Sequence, residues 1–149
     1  MSSYHRVLSV VDSSDAAAHV IRRAALLARL CGASLAVASV ADAPPGGDES
    51  VHARLAFIGE ATRRAEKLAG KAGVRDFDVL ISERDCHALS AVVGSWHPDL
   101  VVVSASDLRG LTGWLDSLRG SFSRVDVLKV EPEGPGIGRR MATALAGLF

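Results

Sequence analysis

Three groups of residues have types and spacings that could do chemistry. The apolar run Leu100 to Val103 gives way to Ser104, Ser106 and Asp107, then to Gly110, Gly113 and the pair Gly120-Ser121. A glycine-rich loop that opens a helix can cradle a phosphate, because glycines let backbone N–H groups come close and the helix start points its positive end at the anion. Asp12 closes an earlier apolar run and is followed by Ser13, Ser14 and Asp15. A carboxylate there can accept a hydrogen bond from a ligand amine or ribose. Asp12, Ser13 or Ser14 can equally cap a helix beginning at Ala16. The third group, Asp85-Cys86-His87, reads more simply as a helix start, since neighbouring helix positions diverge by about 100° and do not converge on one atom.

Other catalytic patterns are missing. His5, His19, His52 and His97 show no H-x-x-x-H spacing, so no metal site is expected. No G-x-S-x-G elbow and no G-x-x-x-x-G-K-[ST] loop occurs, and no nucleophile stands beside a base, so no catalytic residue is assigned and the chain is expected not to be an enzyme.

These residues need elements to hold them. Val7 to Val11 predicts a strand, and Val20, Ile21, Ala24, Leu27, Ala28 and Cys31 then recur with a 3.6-residue period up to a stop at Gly32. Leu35 to Val40 predicts a second strand, followed by a loop at Pro44-Pro45-Gly46-Gly47. Val51, Leu55, Ile58, Thr62, Ala65 and Ala69 mark one face of a long second helix, with Arg63, Arg64, Lys67 and Lys71 for its solvated side. Phe77 to Ser82 is a third strand, and Leu89, Val92, Val93 and Trp96 give a short helix begun near Asp85. Leu100 to Val103 is a fourth strand and Val125 to Val130 a fifth, with a piece of helix between Thr112 and Ser123. Strands alternating with helices imply right-handed parallel crossovers, hence an open doubly wound α/β sheet with helices on both faces. In such a sheet ligands lie beyond the carboxyl ends of the strands. The candidate cleft is therefore Asp12 to Asp15, Val40 to Asp42, and Ser104 to Gly113, with Asp12, Ser13, Val40, Ser104, Asp107, Gly110 and Gly113 as its ligand-facing set.

Composition narrows the function. The formal net charge is zero over 149 residues, which supplies no basic footprint for nucleic acid. No apolar run approaches the ~18 residues of a membrane span, and Cys31 and Cys86 form no C-x-x-C pair. With an opening unlike a signal peptide, a reducing cytoplasm is the expected setting. Residues 1–130 read as one α/β domain. Residues 131–149, EPEGPGIGRRMATALAGLF, read as a flexible linker and a short tail whose Met141, Ala144, Leu145 and Leu148 would order only by docking on this domain or on an unknown protein partner.

The order of these features resembles the universal stress protein family over roughly residues 4 to 130. The likeness is carried by VVD-S-S closing the first strand, similar to the family's V-D-x-S, and by L-x-x-x-G-A-x-L before the second. It is carried further by the Pro-containing loop with its long helix, and by HPDLVVVS, similar to A-D-L-I-V-M-G. The resemblance implies the strand order 3-2-1-4-5, homodimers formed through the fifth strand, and a stress-survival role without catalysis. It also implies a comparison with the ATP-binding members, which carry G-2x-G-9x-G-[S/T] after the fourth strand. Aligning strand ends puts Ser104 at the first of those glycines and Asp107 at the second. A carboxylate about 4 Å from a phosphate costs ~4 kcal/mol at an effective dielectric of 20, against ~0.3–1 kcal/mol returned by a helix start. A second alignment through Gly110, Gly113 and Gly120-Ser121 leaves only about one helical turn before the fifth strand, so no helix start remains to face a phosphate. The expectation is an A-like family branch: a regulatory or protective binding module that does not use the ATP motif. The alternative is an adenine-nucleotide binder, of ATP or a relative, that holds its phosphates differently. A more distant alternative, a receiver-type phosphoacceptor domain, would want a carboxylate where Ser82 ends the third strand and a lysine at the end of the fifth rather than Lys129 inside it.

Overall fold

The structure is a computed structural model, which describes residues 4–12, 16–42, 50–104, 114 and 125–131. In chain order its elements are β1 (Arg6–Val11), α1 (Ala17–Cys31), β2 (Ser34–Ala41), α2 (Val51–Lys71), β3 (Asp78–Glu83), α3 (Cys86–Trp96), β4 (Leu100–Ser104) and β5 (Asp126–Val130). All five strands are parallel, in the order β3-β2-β1-β4-β5. The winding reverses at β1, which has β2 on one side and β4 on the other.

The alternation of the pleat sorts the core into two layers. Val7 and Val11 of β1, Leu35 and Val37 of β2, and Leu100 and Val102 of β4 pack under Val20, Ile21 and Ala24 of α1 and Ala65 and Ala69 of α2. Leu8, Val10, Ala36, Ala38, Val40, Val101 and Val103 face the other way, onto Leu89, Val93 and Trp96 of α3 and onto Trp114. With both faces covered, the inner strands read as nearly continuous apolar runs, as parallel strands do.

Helix ends follow local chemistry. Ser50 caps α2 by accepting the Ala53 N–H at 3.1 Å, and the Asp85 carboxylate caps α3 by accepting from His87 and Ala88. The Asp85-Cys86-His87 triplet is thus a helix start. Gly32 ends α1 in the left-handed region at φ 66°, where a Cβ is strained, and Ala33 donates back to Ala28 O. At its other end α1 starts after Ala16, and among the described residues no side chain caps it; Asp12 is engaged elsewhere.

The second helix departs from expectation. The predicted stripe is buried only in its later part: Ala61, Ala65 and Ala69 are covered, while Val51, Leu55 and Ile58 are 76%, 63% and 42% exposed. Twenty-one residues of helix run for ~31 Å, whereas the six residues of β3 span ~20 Å. The first turns of α2 therefore pass beyond the end of the strand they cross.

At the amino ends of the strands one residue gathers several others. The Asp99 carboxylate accepts the backbone N–H groups of His5 and Arg6 at 2.7 and 2.9 Å. Its own N–H donates to Arg6 O, and its carbonyl accepts from Asp126 N. Tyr4 donates its hydroxyl proton to Asp126 Oδ2 at 2.7 Å. That hydrogen bond, then burial and the negative charges of Asp126 and Asp99, push the phenol pKa up to about 12. A raised folded-state value means a contribution that is complete below the unfolded value of 10.0 and is lost as pH climbs through about 12. Tyr4 is the sole tyrosine, so phenolate absorbance reports it alone. We expect a midpoint near 12 in the native protein and near 10 after denaturation; a native midpoint near 10 would mean the bond to Asp126 does not form in solution.

Candidate functional site

Strand register brings the candidate cleft together. Val11 pairs with Ser39, and Val40 with Ser82, so Asp12, Val40 and Ser82 stand at one level of the sheet. Ser104 closes β4 opposite Val130, one step back by the β1–β4 register. Asp12, Val40 and Ser104 thus share the carboxyl end of the sheet at the point where its winding reverses, the place where open α/β sheets take ligands. The Val40 side chain is fully buried in the α3-side layer, leaving its backbone for contact. Its carbonyl accepts from Arg64 Nη1 at 3.5 Å, the far limit of a hydrogen bond. Ser104 is half-buried. Of the other predicted site residues, Ser13, Asp107, Gly110 and Gly113 lie outside the described residues, as do the expected loop at 44–47, the helix after Thr112 apart from the buried, helical Trp114, and the tail.

The residue that sequence reasoning missed is Arg84. It is the first residue after β3, and its N–H donates to Ala41 O at 3.0 Å, which extends the β2–β3 ladder by one step. From there its guanidinium reaches back over β2. Nε lies 2.9 Å from Asp42 Oδ1, and Nη1 lies 3.7 Å from Asp12 Oδ2. The two contacts differ in weight. The Asp42 side chain is 84% exposed, so solvent screens that pair, while Asp12 is at 8% and Arg84 at 17%. Two unit charges 3.7 Å apart attract by ~4 kcal/mol at an effective dielectric of 20 before desolvation is subtracted. The signal is in the sequence: the strand-end rule that selects Asp12, Val40 and Ser104 at the first, second and fourth strands selects Glu83 and Arg84 at the third.

Glu83 forms the outer rim. Its Oε1 accepts from Arg54 Nη1 at 2.6 Å, bridging β3 to the overhanging turns of α2. Beside this bridge lies a groove of about 350 Å³ lined by Phe57, Ile58, Ile81, Ser82, Ala88 and Val92 among others. Among the described residues no group of three or more His, Cys, Asp or Glu could hold a metal ion, and no helix is long and apolar enough to cross a membrane.

Comparison with known proteins gives a consistent result. The chain's fold is similar to that of a universal stress protein in complex with cAMP, at 23% identity and a TM-score of 0.60, covering 89% of this chain and 100% of that one. A universal stress protein family member from Burkholderia pseudomallei is 25% identical with a TM-score of 0.59, over 89% of this chain and 99% of its own. The universal stress protein UspA from Lactobacillus plantarum is 20% identical with a TM-score of 0.59, over 89% and 100%. Among curated proteins none matches. Residues 3–125 match the universal stress protein family itself, and that match spans most of the sequence. The chain belongs to the universal stress protein family.

Proposed function

We propose that this chain is a non-enzymatic binding module of the stress response, regulatory or protective, which does not hold a triphosphate in the way of the family's ATP-binding members. The observation that carries this reading is where β4 stops. The strand ends at Ser104, and lining that end up with the family's motif in sequence puts the hydroxyl side chain of Ser104 at the first glycine and the carboxylate of Asp107 at the second, where phosphate oxygens need bare backbone. Repulsion of ~4 kcal/mol outweighs what a helix start returns. Calorimetric titration of magnesium-ATP into the full chain tests it. No binding in the micromolar range is expected; micromolar affinity that Asp107→Gly tightens further would overturn the reading.

A second reading, binding of ATP or another adenine nucleotide through different phosphate contacts, is favoured by one feature. The buried Asp12 carboxylate stands level with Val40 at the switch point, as an acceptor placed where a ligand would lie. In either case the chain is proposed to work in the cytoplasm as a homodimer through β5. Lys129 is exposed on this last strand of the sheet, while Val127 and Leu128 are only half-covered. A charge on an edge strand limits pairing to a specific mate. Sedimentation of the same samples reads the assembly, and a single species of one-chain mass would exclude the dimer.

A further inference from the structure

We propose that Arg84 is the specificity-determining residue of this cleft. Its guanidinium fills the donor seat offered by Asp12 and Asp42, so a ligand with a planar N–H edge, such as an aminopurine, reaches Asp12 only by displacing it. The proposal rests on the reading that the carboxyl end of the sheet is where this protein takes its ligand.

Three observations lead to it. Asp12 is only 6% exposed with Arg84 against it, which leaves little of its carboxylate for a solute as large as a nucleobase. The position of Arg84 is fixed by the fold: its N–H is bound to Ala41 O at 3.0 Å. From that anchor the side chain must cross about two strand spacings, ~10 Å between β3 and β1, and the Nε contact to Asp42 at 2.9 Å steers it on the way. Finally, the contact it makes with Asp12 is a loose one. At 3.7 Å it lies within ion-pair range but beyond hydrogen-bond length, so a donor at hydrogen-bond length from the same oxygen would hold it more strongly than this guanidinium contact does. A guanidinium N–H and the exocyclic N6–H of adenine are both donors that a carboxylate oxygen accepts. The protein therefore carries its own competitor for the ligand.

The experiment uses adenosine, which has the amine edge and no phosphate, so that the charge of Asp107 plays no part. It is titrated by calorimetry into the full chain and into Arg84→Ala, Asp42→Asn and the double variant Arg84→Ala/Asp12→Asn. Binding by the wild-type chain is expected to be weaker than by Arg84→Ala by about tenfold or more, the scale of one hydrogen bond to a charged acceptor. Asp42→Asn frees Arg84 without stripping Asp12 of its counter-charge, and is expected to bind about two- to fivefold more tightly than wild type, the scale of an exposed pair. The double variant is expected to return to the wild-type level. If Arg84→Ala does not fold, Asp42→Asn decides. Adenosine affinity unchanged in the folded variants would overturn the role of Arg84 and leave the proposed function standing. Tight ATP binding by the wild-type chain would overturn the proposed function instead.

Discussion

Trp96→Ala is expected to lower the stability of the folded chain by about 3–5 kcal/mol, the cost of emptying a large aromatic site in a packed core. The side chain is 7% exposed and closes the α3-side layer of the sheet beside Leu8 and Val101. Its loss removes more than volume. The Arg6 guanidinium sits 4.1 Å from the centre of the ring, an interaction worth about 0.5–2 kcal/mol depending on exposure. The indole Nε1–H donates to Asp78 Oδ2 at 3.3 Å, tying α3 to the start of the β3 edge strand. The Trp96 carbonyl, which accepts from Arg6 Nε at 2.8 Å, survives the substitution but loses the stacked ring that holds Arg6 over it. Urea unfolding followed by circular dichroism gives the number. Trp96→Phe should recover more than half of it, because the ring volume returns while the N–H does not. A loss below about 1 kcal/mol for alanine would show that the end of α3 is not packed on the sheet as described.

Asp99→Ala is expected to cost about 2–4 kcal/mol, from two hydrogen bonds to an ionised acceptor at ~1.5–3 kcal/mol each, discounted for partial exposure. The two N–H groups it receives, from His5 and Arg6, belong to the segment that leads into β1. Without the carboxylate, that segment still has Asp99 N to Arg6 O and Ser34 N to His5 O as backbone ties. Asp99→Asn keeps one acceptor oxygen and should lose about half as much. A separate readout distinguishes this local account from general loosening. The Asp99 charge is one of the causes that raise the Tyr4 phenol, so in Asp99→Asn the native tyrosine midpoint should move down from about 12 while the circular dichroism of the fold is retained.

Much of this architecture was legible in the residues. Hydrophobic runs and periods place every described strand and helix within a residue or two, because inner parallel strands are apolar throughout and α1 must turn one stripe to the sheet. The acid at position 85 was legible as a helix start for the same local reason that Ser50 works for α2. Two features were not. The face of α2 could not be read from periodicity, because Val51, Leu55 and Ile58 continue the same stripe as Ala65 and Ala69. What separates them is the length of β3, a tertiary fact that decides where the helix runs out of sheet to cover. Arg84 was legible only as a position at a strand end; its role was not, since an arginine after a strand looks like any solvated charge until the parallel register sets Asp12 and Asp42 within its reach. Asp12 shows the converse: its type and place suggested a ligand acceptor or a helix cap, and the fold gives it a partner from a strand two positions away.

The central position of β1 has a consequence for how the chain is made. Its β2 neighbour follows after a short helix, but Arg6 must wait for Asp99, 93 residues further on, and β4 supplies the other side of β1. On the ribosome β1 emerges before the other strands and keeps one flank open until β4 has followed, and such late, long-range pairing slows folding and invites wrong partners. A nascent chain arrested before β4 should hold β1, β2 and β3 with an unpaired backbone edge on β1 beside its apolar side chains, the state in which a chaperone would be most needed.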